Sequence, residues 1–217
     1  MAVIKKGMPP AVALNEYFVS ITQIQQRIVP GANVLLNRPT FSLLAHELDQ
    51  RMIDCLTRKV IDARPGSFNF NLDSVFTRRF EALAGSGLAR NMIFELRVGD
   101  VFENFEKYAA ARKFIRSFGG RIAVDGVLPA MLGPLKPARL GCEFVKILCD
   151  DRLLLDRSSI ANELAEISRS GARTVLARVA SRDALNAGLE MGVDVFQGFY
   201  IDVLLKDTAE RNRFMAA

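Results

Sequence analysis

From Ser67 to Ile201 six short apolar runs recur about every 25 to 30 residues, and a helical pattern follows each one. The runs predict strands at Ser67–Leu72, Met92–Leu96, Arg121–Val124, Glu143–Leu148, Thr174–Ala177 and Val195–Ile201. The stretches between and after them predict helices at Ser74–Leu83, Val101–Phe118, Pro129–Arg139, Ser158–Arg169, Ser181–Met191 and Asp207–Phe214. Parallel neighbours cannot be joined by a tight hairpin, so β–α alternation of this length implies a parallel sheet with helical crossovers. The expected architecture is α/β, a closed (β/α) barrel of the TIM type, with an open doubly wound sheet as second choice.

The N-terminal part breaks this rhythm. Met1 to Pro10 reads as a lead-in that Pro9-Pro10 ends. Between Ala11 and Val29, the residues Val12, Leu14, Phe18, Ile21, Ile24 and Ile28 fall mostly at helical spacing and predict an extra amphipathic helix. Asn33–Leu36 reads as a short strand, so the first barrel unit is expected to be modified or incomplete. Thr40–Ala63 reads as a long helix whose wide apolar face includes Leu43, Leu48, Ile53 and Val60. His46, the only histidine, sits on it and reads as structural. The domain division that follows is residues 1–30 as lead-in and helix, then 31–217 as the barrel, a length that supports one sizeable core.

Charge and cysteine usage narrow the function classes. The formal charge of +5 is spread over dispersed arginines, so a face such as Arg78, Arg79 and Arg90 reads as solvated surface, not a nucleic-acid interface. Cys55, Cys142 and Cys149 have no ligand-like spacing and suit reduced thiols in a cytoplasm. No run reaches about 18 uninterrupted apolar residues, so no membrane segment is expected.

Chemistry in such a barrel sits at the C-terminal ends of the strands. The polar residues falling there are Asn71, Glu95, Asp125, Lys146 and Gln197, each on a different expected strand. A charge in or at the end of a buried strand is costly unless paired, so Asp125 and Lys146 stand out within Arg121–Leu148. Taken singly, each has a plain explanation as turn former or snorkelling lysine. As a set they resemble a convergent oxygen-ligand site for a hard cation such as Mg²⁺.

These residues carry a family resemblance. Over roughly residues 33 to 201 the chain resembles the EAL domain of bacterial cyclic-di-GMP phosphodiesterases, a (β/α) barrel that linearises cyclic-di-GMP with two divalent metals. Phe70-Asn-Leu-Asp73 is similar to the family's asparagine-bearing strand, and Phe94-Glu95-Leu96 to the start of its E-(L/I)-T-E motif. Ile122-Ala-Val-Asp125 resembles the run into D-D-F-G, and Lys146 stands at the spacing of the lysine in K-I-D. Gly192-Val-Asp-Val-Phe-Gln-Gly198 resembles the closing G-V-D-x-x-Q-G.

The departures from that pattern fall on the chemistry. The second aspartate of D-D-F-G is Gly126, and the aspartate of K-I-D is Leu148. The two glutamates of A-E-G-V-E are Ala177 and Ala180. The name-giving glutamate, aligned at Asn33–Leu36, is Asn33, while the literal Glu81-Ala-Leu83 lies on an expected helix and is a decoy. Two-metal hydrolysis needs carboxylates to hold both ions and to acidify a shared water. Losing one oriented group costs orders of magnitude in rate, and several are missing here. The resemblance therefore implies a degenerate domain that is not an enzyme, with a vestigial site at Asn71, Glu95, Asp125, Lys146 and Gln197. No cofactor is expected to be required, beyond room the resemblance leaves for one Mg²⁺ on Asn71, Glu95 and Asp125.

The function expected is a cytoplasmic protein-binding or regulatory module whose partner is another signalling protein. The rewritten loop Gly126–Leu135 and the N-terminal helix are its candidate surfaces. The alternatives are a receptor that binds cyclic-di-GMP without cutting it, using Arg38, Lys146 and Arg178, or a residual one-metal enzyme. Loss of the first-strand glutamate argues against cyclic-di-GMP binding.

Overall fold

A computed structural model describes residues 1–5, 8–28, 38–60 and 66–215. Two compact units emerge, Met1–Asn15 with Ile122–Ala217, and Glu16–Arg121. The boundary expected at residue 30, the strand Asn33–Leu36 and the position of Asn33 lie outside the described residues.

The N-terminal segment differs from its reading. The lead-in holds β1 (Ala2–Val3), which pairs antiparallel with β2 (Ala11–Val12). β3 (Asn15–Tyr17) follows, and the helix expected from Ala11 is confined to α1 (Ile21–Ile28). Strands of two or three residues are too short to show a period of two. Their stray apolar residues merged with those of α1 into an apparently helical spacing.

The second unit is built on a phenylalanine cluster. After α2 (Arg38–Thr57), β4 (Gly66–Asn69) pairs in parallel with β5 (Ile93–Arg97), setting Phe68 opposite Phe94 and Asn69 opposite Glu95. α3 (Arg78–Gly85) lies between them in sequence, capped where the Thr77 hydroxyl accepts the Phe80 N–H. Glu81-Ala-Leu83 lies on this helix, as expected of a decoy. Phe70, Phe80, Phe94 and Phe118 meet at ring separations of 5.2–6.1 Å, and Tyr17 stacks on Phe68 at 5.1 Å. Gly120 is required by this packing, because a Cβ there would lie 2.8 Å from Phe118 and from Ile115. The single helix expected from Val101 to Phe118 is two, α4 (Val98–Glu103) and α5 (Phe105–Ser117), parted at Asn104. Leu43, expected on the apolar face of α2, is exposed.

The first unit carries the rest of the alternation. β6 (Arg121–Val127), β7 (Phe144–Leu148), β8 (Arg173–Ala177) and β9 (Val195–Phe196) pair in parallel in that order, and β1 runs antiparallel along β9. α6 (Leu132–Leu135), α7 (Asp151–Leu155), α8 (Arg157–Arg169) and α9 (Arg182–Glu190) make the crossovers. The expected helix Pro129–Arg139 is a four-residue α6 between two 3-10 turns, since Pro129, Pro134 and Pro137 each remove a backbone donor. The last strand stops at Phe196 instead of Ile201, and α10 (Phe199–Lys206) starts after Gly198, followed by α11 (Thr208–Met215).

Candidate functional site

Of the five residues expected in the site, Asn71 and Glu95 belong to one unit and Asp125, Lys146 and Gln197 to the other. Each group is described within its own unit.

In the second unit β4 ends two residues before Asn71, and every polar group of Asn71 is engaged. Its backbone N–H and its side-chain Nδ2 both donate to Asp49 Oδ2 at 2.8 Å. Its Oδ1, the atom a cation would need, accepts from the Arg97 guanidinium at 3.1 Å. Arg97 stands two residues after Glu95, at the threonine position of the motif read above, and also pairs with Asp100 at 3.2 Å. Glu95 is fully buried on β5, and its backbone oxygen accepts the Phe70 N–H at 3.0 Å.

Sequence reasoning missed Asp49 and Arg97. Asp49 is buried on α2, and Ser74 Oγ donates to it at 2.7 Å beside the two donors of Asn71. The serine has one hydrogen and spends it there, so the 3.2 Å contact between Ser74 Oγ and His46 Nδ1 has the imidazole as donor. His46 is therefore structural, part of a network that fastens α2 to the turn after β4. Burial pushes the Asp49 carboxyl above its usual 3.8, against the lowering influence of Ser74, the two Asn71 donors and His46. No motif points to Asp49, which stands among the polar residues Glu47, Gln50 and Arg51 of α2.

In the first unit Lys146 is buried to 2% in the middle of β7, and its Nζ lies 3.6 Å from Asp125 Oδ1. The lysine does not snorkel, because a strand-centre side chain has no route to water. Asp125 and Gly126 occupy an irregularity in the β6–β7 register between Val124 and Val127, and Gly126 takes a φ of 82°. This left-handed backbone favours glycine over the aspartate of the family motif.

The lost positions Leu148 and Ala177 are register partners at the ends of β7 and β8. Ala177 is buried and Leu148 half-buried, so two apolar side chains stand together where the family pattern has two carboxylates. Ala180 is exposed beyond the strand. Between them Arg178 holds a φ of 60°, exposed, at the glycine position of A-E-G-V-E. Gln197 donates its N–H to Leu176 O at 2.9 Å and accepts from the Val179 N–H at 3.0 Å. At Gly198 a Cβ would lie 2.3 Å from Val179 N and 2.4 Å from Val179 O. Gly198 thus has a packing reason to be present, independent of any chemistry. Cys149 is half-buried, and its thiol is pushed up by burial first and by Asp150 and Asp151 second. Among the described residues no group of three or more His, Cys, Asp or Glu is placed to hold a metal ion.

No protein-family model and no curated protein sequence matches the chain. Solved structures do. A FimX EAL domain superposes with a TM-score of 0.62 at 16% identity, covering 86% of this chain and 82% of its own. The Xanthomonas citri FimX EAL domain, solved in complex with c-diGMP, gives a TM-score of 0.56 at 17% identity over 76% of this chain and 72% of that one. The Bacillus subtilis YkuI protein, which has an EAL domain and was solved with substrate c-di-GMP and calcium, gives 0.57 at 17% identity over 78% of this chain and 48% of that one. The chain has the fold of EAL domains, an α/β barrel of the TIM type, which decides between the two architectures expected from sequence. No described helix is long and apolar enough to cross a membrane.

Proposed function

We propose that this chain is a catalytically silent EAL-like domain of a cyclic-di-GMP signalling system, working in the bacterial cytoplasm by binding another regulatory protein. The observation that carries the reading is the apolar register pair Leu148–Ala177 at the strand ends where a two-metal centre needs carboxylates. Two further features support it. Asn71 Oδ1 is already held by a guanidinium, and Asp125 already faces an ammonium. The residues present do not fit a two-metal centre. The one-ion arrangement over Asn71, Glu95 and Asp125 would have to displace Arg97 from Asn71.

A second reading is a receptor that holds cyclic-di-GMP without cutting it. The X. citri FimX domain and YkuI carry that nucleotide in their structures, and Arg178 is an exposed cation at a strand end. Calorimetric titration with cyclic-di-GMP in Mg²⁺ and in Ca²⁺, followed by chromatography of the nucleotide, separates the readings. The adaptor reading expects no binding heat and intact nucleotide. Micromolar binding that Asp125→Ala weakens would establish the receptor, and linear product that the same substitution abolishes would establish an enzyme.

A further inference from the structure

The first unit leaves one leucine almost wholly in water. Leu155, the last residue of α7, is 85% exposed, more than any other large apolar side chain among the described residues. It stands in the run Asp151-Arg-Leu-Leu-Leu-Asp-Arg157, where an acid–base pair precedes three leucines and the same pair follows them. Leu153 is buried and Leu154 half-buried, so these two hold α7 to its unit. Arg152, Leu155 and Asp156 fall at i, i+3 and i+4, and all three are exposed. One face of α7 thus presents an apolar centre flanked by a cation and an anion.

These flanking charges are not spent within the chain. Asp150 caps α7 by accepting the Leu153 N–H at 3.2 Å, and Arg157 pairs with Glu190 at 2.7 Å. Arg152 and Asp156 make no side-chain hydrogen bond or ion pair among the described residues. They do not close on each other, because arginine before aspartate is the weaker order on a helix and Asp156 already leaves helical geometry at a φ of −119°. Their order makes the run its own complement. Turned end for end about Leu154, a second copy sets its Asp156 opposite Arg152 and its Arg152 opposite Asp156. Two flanking charges of one sign would repel their copies in the same arrangement.

We propose that α7 is a self-association surface. Two copies of this chain meet across a two-fold axis, with both Leu155 side chains packed between two Arg152–Asp156 pairs. Exposed Leu128 precedes the 3-10 turn Pro129–Met131, on which α7 packs, and extends the apolar area. A surface built on one short helix lies at the low end of interface sizes, so the association is weak and salt-sensitive. It is independent of whether the strand ends cut, bind or ignore cyclic-di-GMP.

Sedimentation velocity of the full chain over about 5 to 500 μM is expected to show a monomer–dimer equilibrium with a micromolar Kd. Arg152→Asp and Asp156→Arg, each alone, set like charges opposite one another twice and should each weaken the dimer about tenfold or more. Leu155→Ser should also weaken it. Mixed in equal amounts, the two charge variants bring two acids to two bases and should associate again. All three positions are exposed, so thermal midpoints should hold. Arg152→Gln and Asp156→Asn remove the pairs without reversal and keep the test open if a reversal unfolds the chain. A wild type that stays monomeric over the same range would overturn the proposal. So would a dimer indifferent to these substitutions, or charge variants that stay apart when mixed. Cyclic-di-GMP turnover would strike the catalytically silent reading and leave this surface untouched.

Discussion

Gly198 and Arg178 meet across one short contact, and they show how motif residues persist for reasons of packing. Gly198 has a φ of 147°, and its missing Cβ makes room for the backbone of Val179. Gly198→Ala should therefore destabilise the fold by about 2 kcal/mol or more, combining overpacking with a strained backbone. Gln197→Ala should cost clearly less, because it leaves in place the main-chain hydrogen bonds of Gln197 to Leu176 and Val179. Urea titration of both variants checks the order, and equal losses would mean that the Gln197 side chain matters as much as the turn. Arg178 poses the converse case. It holds a left-handed φ of 60° where the family pattern has glycine, and its side chain is exposed. Relief of that strain outweighs the extra freedom glycine gives the unfolded chain, so Arg178→Gly should stabilise by about 0.5–1 kcal/mol. A loss of stability in the same titration would show that the arginine makes a contact worth more than its strain. In the sequence, Gln197-Gly198 was legible as a motif, but its packing role was not, since a missing Cβ has meaning only beside the strand it touches.

At the scale of elements, α2 is held to the end of β4 by Asp49, which takes three hydrogen bonds from Asn71 and Ser74 while buried. Its carboxyl is raised above the usual 3.8 because burial outweighs those donors. The folded protein thus keeps a proton that the unfolded chain has lost. Stability from this group is full below about pH 3.8 and declines as pH rises through the raised value. Asp49→Asn keeps an acceptor and cannot ionise. The unfolding free energy of the wild type, measured relative to Asp49→Asn, should fall as pH climbs from 3.8 upward and then level. A flat difference across that range would mean that Asp49 ionises as easily folded as unfolded. The same element shows where sequence reading stops. β5, β7 and β8 were found within a residue or two because strands buried on both faces write continuous apolar runs. Asp49 was passed over because a carboxylate on a helix reads as solvent-facing until its donors, 22 and 25 residues away, are known. Arg97 was passed over because its partner Asn71 is 26 residues distant.

At the scale of the whole molecule, the chain has the fold of EAL domains, while Leu148 and Ala177 stand apolar at strand ends where the pattern read from the sequence has carboxylates. β7, β8 and β9 pair in parallel with apolar residues at these two positions, so their pairing does not depend on carboxylates there. Two apolar side chains there avoid the mutual repulsion that a pair of buried acids would have without a metal. On the catalytically silent reading proposed above, no ion is expected to hold the strand ends together. An ion that binds only the folded state raises stability by mass action, by about 2.7 kcal/mol at a hundredfold excess over its dissociation constant. For a chain of this length that would lift the unfolding midpoint by roughly 5–10 °C. Thermal unfolding in millimolar Mg²⁺ and in excess chelator should instead give midpoints within about 1 °C of each other. A rise of several degrees in Mg²⁺ that Asp125→Ala abolishes would restore the single-ion site and put the residual enzyme back in contention. Coincident midpoints, with the nucleotide uncut, would leave the molecule's surfaces as the place to look for its function.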